Sequence, residues 1–198
     1  MVVTIDPPEP VRFRQGAGRL CLDFVRTLRM RGTPDSVEEL AQPEALASWV
    51  FHLGPCGPEA AVSEPSAVLL HQARELREAV CELLQAARDP EGAAAYPDAA
   101  RRCVNRAAAQ PVPVPVLGAD RRLRQYAEEP VAATLALIAR DALDLVASPM
   151  AGRVRECAGP RCGALFLDSS RPGTRRWCSM DTCGNHAKKA AFRGRTPA

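Results

Sequence analysis

Two pairs of cysteines constrain what this sequence can fold into more than any other feature. Cys157 and Cys162 form one Cys-x4-Cys pair, Cys178 and Cys183 form another, and 15 residues separate the pairs. Two close pairs with a spacer of roughly 10–20 residues is the pattern by which one chain brings four thiolates to a tetrahedral Zn²⁺ ion. The spacing therefore predicts one structural zinc ion held by all four cysteines.

The alternatives for these four thiols are two disulfides, free surface thiols or an iron–sulfur cluster. The first ten residues carry Asp6, Glu9, three prolines and no basic residue, unlike a secretory signal. We therefore expect a cytoplasmic protein without a membrane segment, and the cytosol keeps thiols reduced. The paired spacing argues against free thiols. Four cysteines also fill the coordination shell of zinc, which argues against a catalytic ion with an open position.

Charge and the distribution of cysteines both divide the chain near residues 148–152, which predicts two units, 1–150 and 151–198. Residues 151–198 hold ten basic and three acidic residues, a net charge of +7, whereas residues 1–150 have a net charge of −4. The second unit is short and has few large apolar side chains. A unit of this kind needs a cross-link or a bound metal to stay folded, and a zinc ion can supply that stabilisation.

The first unit is expected to be mostly helical. Apolar residues at helical steps predict helices over 19–28, 43–53, 66–88, 97–110 and 130–147. Glu38 and Glu39, shortly after Asp35 and Ser36, are typical of one further helix start. The alternating prolines and valines of 111–116 cannot form an inner strand, and with 121–126 they predict a small hairpin. His52, His71 and the four isolated cysteines of this unit have no partner at metal-binding spacing.

The second unit has the order of a treble-clef finger. The pattern predicts a strand over 164–168, a return strand over 174–178 and a helix over 187–193 that follows the last cysteine. The expected fold class is α+β, predominantly α, with a helical first domain and a treble-clef-like zinc finger. We also expect Asp168 to form a carboxylate–arginine clamp with one of three nearby residues, Arg171, Arg175 or Arg176.

Several motifs resemble a known bacterial family. The stretch from Cys157 to Arg195 resembles the CGNR-type zinc finger, through Phe166-Leu167-Asp168, the run Arg175–Met180 and Cys183-Gly184-Asn185. Gly18–Val25, Leu46–Trp49, Leu76–Ala79 and Val104-Asn105 are similar to the ABATE domain that precedes this finger. The resemblance implies a stress-induced transcription regulator. The sequence departs from the family pattern at His186, where the finger motif has Arg, and at Arg26, where the ABATE motif has Asn.

A net charge of +7 on a metal-stabilised scaffold favours a zinc-containing, DNA-binding transcription regulator. Its first unit would then serve for sensing or dimerisation, and a homodimer would read two half-sites. No residue supports a small-molecule effector of the first unit. The side chains that we expect at the nucleic acid are Arg171, Arg175, Arg176, Asn185, His186, Lys188, Lys189 and Arg193.

Three other functions compete with this hypothesis. A basic finger also suits an acidic protein partner, so a zinc-finger protein-interaction module is the main alternative. RNA binding is another hypothesis, with Trp177 and Phe192 as the aromatic residues that could stack on bases. Enzymatic activity is the weakest reading, because the sequence shows no nucleophile–base pair, no paired carboxylates and no cofactor loop. We therefore do not expect an enzyme.

Overall fold

The computed structural model describes residues 13–57, 64–88 and 96–193. The α-helices in these ranges are α1 (Leu20–Val25), α2 (Pro43–Leu53), α3 (Ala67–Arg88), α4 (Asp98–Ala108), α5 (Pro130–Ala147) and α6 (Asn185–Arg193). The strands are β1 (Leu28–Arg29), β2 (Val37–Glu38), β3 (Val114–Leu117), β4 (Leu123–Tyr126), β5 (Val154–Glu156) and β6 (Leu165–Leu167), in three antiparallel pairs. The predicted α+β class with predominant helix is confirmed.

Helices α3, α4 and α5 pack on one another, and α1 and α2 pack on α5. Proline occupies the first turn of both α2 and α5, where its missing N–H has no helical partner to lose. In the core, the Trp49 ring of α2 meets the Phe24 ring of α1 edge to face, with the centroids 5.2 Å apart. No helix in the described ranges is long and apolar enough to cross a membrane.

Two predictions for residues 19–39 are wrong. Helix α1 ends at Val25 instead of reaching residue 28, and Val37–Glu38 forms strand β2, paired with β1, instead of starting a helix. The cause lies far away in the sequence. Glu38 binds the buried Arg77 guanidinium of α3 through two hydrogen bonds of 2.6 Å each and also accepts from the Leu40 N–H. These partners replace the helix N-terminus that the acidic pair suggested.

The predicted hairpin after α4 is confirmed. Strands β3 and β4 pair in antiparallel register from Val114 opposite Tyr126 to Leu117 opposite Leu123. Its turn is fixed by Asp120, whose carboxylate accepts from the Arg122 N–H and from the Arg124 guanidinium. Several large apolar side chains of this hairpin remain exposed, namely Val114, Val116, Leu117, Leu123 and Tyr126.

The finger differs from its predicted strand pairing. Strand β6 lies where a strand was expected, but it pairs with β5 ahead of the first cysteine pair, and residues 174–178 form no strand. Their backbone groups have other partners: the Arg175 N–H donates to the Asp168 carboxylate, and the Arg176 carbonyl accepts from Ala158 N–H. The predicted helix is present as α6 and begins two residues earlier, at Asn185.

The finger and the helices share one hydrophobic core. Leu165, Phe166 and Leu167 belong to the same buried cluster as the helix side chains. The Leu167 N–H donates to the Ala17 carbonyl at 2.7 Å, and a Cβ on Gly18 would lie 3.0 Å from the Leu167 Cβ. A 3₁₀ turn, Pro149–Arg153, crosses the expected domain boundary. The division into two units near 148–152 stays a prediction.

Candidate metal centre and the surface around it

The four paired cysteines converge on one point. Their Sγ atoms all lie within 4.8 Å of one another. The Sγ of Cys178 is 3.6 Å from that of Cys162 and 3.7 Å from that of Cys183. Four sulfurs placed about 2.3 Å from a tetrahedral zinc ion are separated by about 3.8 Å, so the cluster has the size that zinc requires. Three of the thiols are buried and Cys162 is partly exposed.

The first cysteine pair sits in the loop that joins β5 to β6. Cys157 N–H donates to the Ala164 carbonyl and Cys162 N–H to the Gly159 carbonyl, which closes the loop into a knuckle. Gly159 is needed there, because a Cβ at this position would lie 3.1 Å from the Cys162 Cβ and 3.5 Å from two of the sulfurs. The positive φ of Gly163, 57°, then turns the chain into β6.

The second pair approaches from the start of α6. The Cys178 N–H points at the Cys157 Sγ at 3.3 Å, the kind of hydrogen bond that stabilises a thiolate ligand. Ser179 caps the following turn, since its hydroxyl accepts from Thr182 N–H and its carbonyl from Gly184 N–H. This turn, Met180–Gly184, carries Cys183 and leads directly into α6. A helix whose start carries the last ligand is the treble-clef feature that the sequence predicted.

The crowding of the four thiols favours deprotonation at one of them. Hydrogen bonds from the neighbouring thiol of Cys178 lower the pKa of Cys162, and the resulting thiolate raises the pKa of Cys178. A divalent cation offsets this repulsion between neighbouring thiolates and binds all four cysteines in the deprotonated form. The all-sulfur, mostly buried donor set fits one structural zinc ion, held by Cys157, Cys162, Cys178 and Cys183. Zinc bound there would stabilise the fold and would leave no coordination position for a substrate.

Asp168 organises the loop that follows β6, but not as a clamp on an arginine side chain. Its buried carboxylate accepts from the Ser170 hydroxyl, from Ser170 N–H at 3.0 Å and from Arg175 N–H at 2.9 Å. These hydrogen bonds, that of the Ser170 hydroxyl foremost, lower the pKa of Asp168. The predicted carboxylate–arginine clamp is therefore wrong, because backbone N–H groups and a hydroxyl take the carboxylate oxygens.

Arg175 turns inward. Its guanidinium donates to the carbonyls of Trp177, at 2.8 Å, and Cys178, and it lies over the Phe166 ring with 4.8 Å to the centroid. The side chain thus ties the backbone beside a zinc ligand to the core strand β6. The arginine-rich run in the sequence gives no sign of this bracing role, and the predicted contact of Arg175 with nucleic acid stays a prediction.

The other residues predicted at the nucleic acid differ in their side-chain contacts. Arg171, Arg176, Lys188 and Lys189 are exposed, and the Arg176 guanidinium lies 5.1 Å from the Trp177 ring centroid. Asn185 and His186 are exposed as well, and the Asn185 amide donates to the Asp181 carbonyl one turn earlier. The side chain of Arg193 lies outside the described residues.

Sequence reasoning missed the loop that supports the finger from the first unit. The Asp23 carboxylate accepts from Ala17 N–H at 2.9 Å and Gly16 N–H at 3.3 Å, and Ala17 in turn accepts from Leu167. The Gly18–Phe24 motif was the available signal, but only the fold reveals what it touches.

Comparison with known families agrees with this geometry. Residues 18–149 match the family model ABATE, described as "Putative stress-induced transcription regulator". Residues 153–196 match the family model of the CGNR zinc finger. A search among curated proteins found no match. The finger model spans all four cysteines, so sequence comparison and geometry agree on the metal centre.

Proposed function

We propose that this chain, which belongs to the ABATE family and carries a CGNR zinc finger, is a DNA-binding transcription regulator. The observation that carries the proposal is that four of the cations predicted at the nucleic acid are exposed on a finger whose metal centre fixes the backbone: Arg171, Arg176, Lys188 and Lys189. Cations on a rigid scaffold suit a phosphate backbone, which gives affinity and orientation without sequence information. In this proposal the chain is not an enzyme and acts in the cytoplasm, where bacterial DNA lies.

Base recognition would fall to polar groups at the start of α6. His186 is exposed there, and Asn185 keeps a carbonyl oxygen to accept with, since its amide nitrogen is the atom that bonds to Asp181. Where the family finger has Arg, this chain has His186, and an imidazole lacks the forked donors with which a guanidinium holds phosphate. We therefore assign most of the affinity to the four exposed cations.

Salt dependence tests the DNA proposal directly. If about four phosphates are neutralised, the slope of log affinity for a mixed-sequence duplex against log salt is about −3.6. Replacing two cations, Arg176→Gln with Lys188→Gln, is expected to reduce it to about −1.8. The matched control is Arg101→Gln with Arg102→Gln on α4, which removes the same charge far from the finger in sequence and should leave the slope unchanged.

Four results would contradict the proposal. A wild-type slope near zero would show that the chain makes no electrostatic contact with DNA. An equal reduction of the slope in the α4 control would show that the finger cations are not the ones in contact. Preferred binding to an acidic protein that mixed-sequence DNA does not displace would favour the protein-interaction module. Tighter binding to single-stranded RNA than to duplex DNA would favour an RNA-binding protein.

The proposal includes a homodimer, because a single finger covers a small site and a second copy doubles it. The exposed apolar side chains of the β3–β4 hairpin favour this surface for the contact. Leu117→Lys with Leu123→Lys is expected to halve the mass measured by light scattering. Val68→Lys, at an equally exposed apolar position on α3, serves as the control. A monomeric wild-type chain would contradict the dimer.

A further inference from the structure

A cavity of about 280 Å³ lies between the finger and the segment around β1. One wall is the segment around β1, with Arg26, Leu28 and Arg29, and the other is the zinc knuckle, with Pro160 and Cys162. Its volume lies just below the roughly 300–1,000 Å³ typical of small-molecule sites. A ligand in this cavity would therefore be small and would touch both parts of the chain.

Two arginines that line the cavity have nitrogen donors without partners. Arg26 is only 5% exposed, and its Nε meets no hydrogen-bond acceptor among the described residues. Its remaining contacts are long: Nη1 lies 3.3 Å from the Gln15 carbonyl and 3.4 Å from an Asp23 oxygen. The Nε of Arg29 is also buried without an acceptor. Buried polar groups are nearly always satisfied, so each orphaned donor calls for an acceptor.

No described carboxylate lines the cavity, whereas four arginines do: Arg14, Arg26, Arg29 and Arg161. Nearby acids compensate part of this charge from outside the cavity. Glu39 lies 3.5 Å from Arg29, and Asp35 lies 3.5 Å from Arg161. The Cys162 and Cys183 sulfurs also line the cavity, but they are ligands of the metal centre. The hydrogen-bonding groups left for a ligand are therefore mainly arginine donors, which favour an anion.

The apolar walls of the cavity indicate which kind of anion it would bind. Leu28, Met30, Pro160 and Ala164 give the cavity apolar sides next to the arginines. A small inorganic ion would leave these sides without contacts, whereas an organic anion buries its body against them. We propose that the cavity binds a small organic carboxylate, with its charged group on Arg26 and Arg29 and its apolar body against the zinc knuckle. Arginine suits this task because its planar donors match two carboxylate oxygens.

The proposal stands whether or not the chain binds DNA, and it is tested on the zinc-loaded full chain with benzoate, benzamide and inorganic phosphate as probes. Benzoate and benzamide share their shape and differ in charge. Benzoate is expected to bind by calorimetry and to raise the melting temperature. Benzamide and phosphate are expected to bind at least tenfold more weakly. Zinc is quantified in every sample, so that metal loss is not mistaken for a ligand effect.

Arginine variants locate the binding site. Arg29→Gln, at a partly exposed side chain, is expected to weaken benzoate binding at least tenfold, and Arg26→Gln to do the same. Arg101→Gln on α4 removes one positive charge outside the cavity and should leave binding unchanged. If Arg26→Gln fails to fold, Arg29→Gln decides the question.

The proposal is overturned if benzoate does not bind, or if benzamide binds as well, which would make the cavity a purely apolar one. It is also overturned if phosphate binds more tightly than benzoate, or if Arg29→Gln binds benzoate like the wild type.

Discussion

Removing the zinc ion should unfold the helical unit together with the finger. The perturbation is Cys178→Ser, which deletes the ligand whose sulfur lies 3.6 and 3.7 Å from two others. A finger of this size depends on its metal, because zinc supplies roughly 10–16 kcal/mol to small zinc folds. Without the metal, strand β6 loses its anchor and Leu167 no longer holds the Ala17 carbonyl.

The magnitude follows from the side chains that the finger contributes to the shared core. Val154, Leu165, Phe166 and Leu167 are all buried in it. Burial is worth about 1.5–3 kcal/mol for each, or about 6–12 kcal/mol together. If half of that burial is against the helices, they lose about 3–6 kcal/mol. A typical domain has only about 5–15 kcal/mol of unfolding free energy, so this loss removes a large part of it.

Tryptophan fluorescence can follow the two parts separately, because Trp49 lies in the helical core and Trp177 in the finger. In a Trp177→Phe background, Trp49 reports on the helices alone. We expect zinc release by a chelator and the change in Trp49 emission to coincide, and Cys178→Ser to melt well below the parent. Cys56→Ser, outside the metal centre, should match the parent. Zinc release without any change in Trp49 emission or melting temperature would refute the reasoning.

Further predictions concern a buried ion pair and a loop glycine. Arg77→Met should lower the unfolding free energy by roughly 3 kcal/mol in urea titrations, because it leaves the partly buried Glu38 carboxylate without its closest partner; an unchanged midpoint would contradict this. Burial raises the pKa of Glu38, but the hydrogen bonds and charge of Arg77 outweigh it and hold that pKa below its usual value. Wild-type stability from this pair should therefore be complete above about pH 5 and fall as the pH drops through the lowered pKa, and denaturation at several pH values should show less dependence in Arg77→Met. Gly18→Ala should cost about 1–3 kcal/mol, since φ is +96° and the new Cβ meets Leu167 at 3.0 Å. Gly16→Ala has a similar φ with nothing within 4 Å, so an equal loss there by thermal denaturation would exclude the contact as the cause.

Local patterns in the sequence predicted the parts of the fold whose causes are local. The apolar stripe of α3 and the first-turn prolines of α2 and α5 act within one helix, and those helices were placed within a residue or two. The zinc ligands were predictable for the same reason, because a cysteine pair and its knuckle lie within six residues. Their convergence on one point is confirmed by the sulfur positions.

The differences from the sequence predictions come from side-chain contacts that form only in the folded chain. Glu38 became part of a strand because Arg77, 39 residues away, binds it. The arginine-rich run predicts the same surroundings for both arginines, yet Arg175 turns inward over Phe166 while its neighbour Arg176 stays exposed. A single sequence contains no signal that separates these two arginines, because the difference arises only when β6 supplies an aromatic face.

The cavity next to the knuckle links the metal to any ligand bound there. Cys162 and Cys183 both line the cavity and both belong to the metal centre, so zinc fixes one of its walls. If zinc binding strengthens carboxylate binding by a given factor, the carboxylate must strengthen zinc binding by the same factor, because coupling between two sites is reciprocal. A benzoate probe should therefore slow zinc release to a chelator in the wild type and have no such effect in Arg29→Gln. The finger and the helical unit would then respond to metal and ligand as one structure, through the wall that they share.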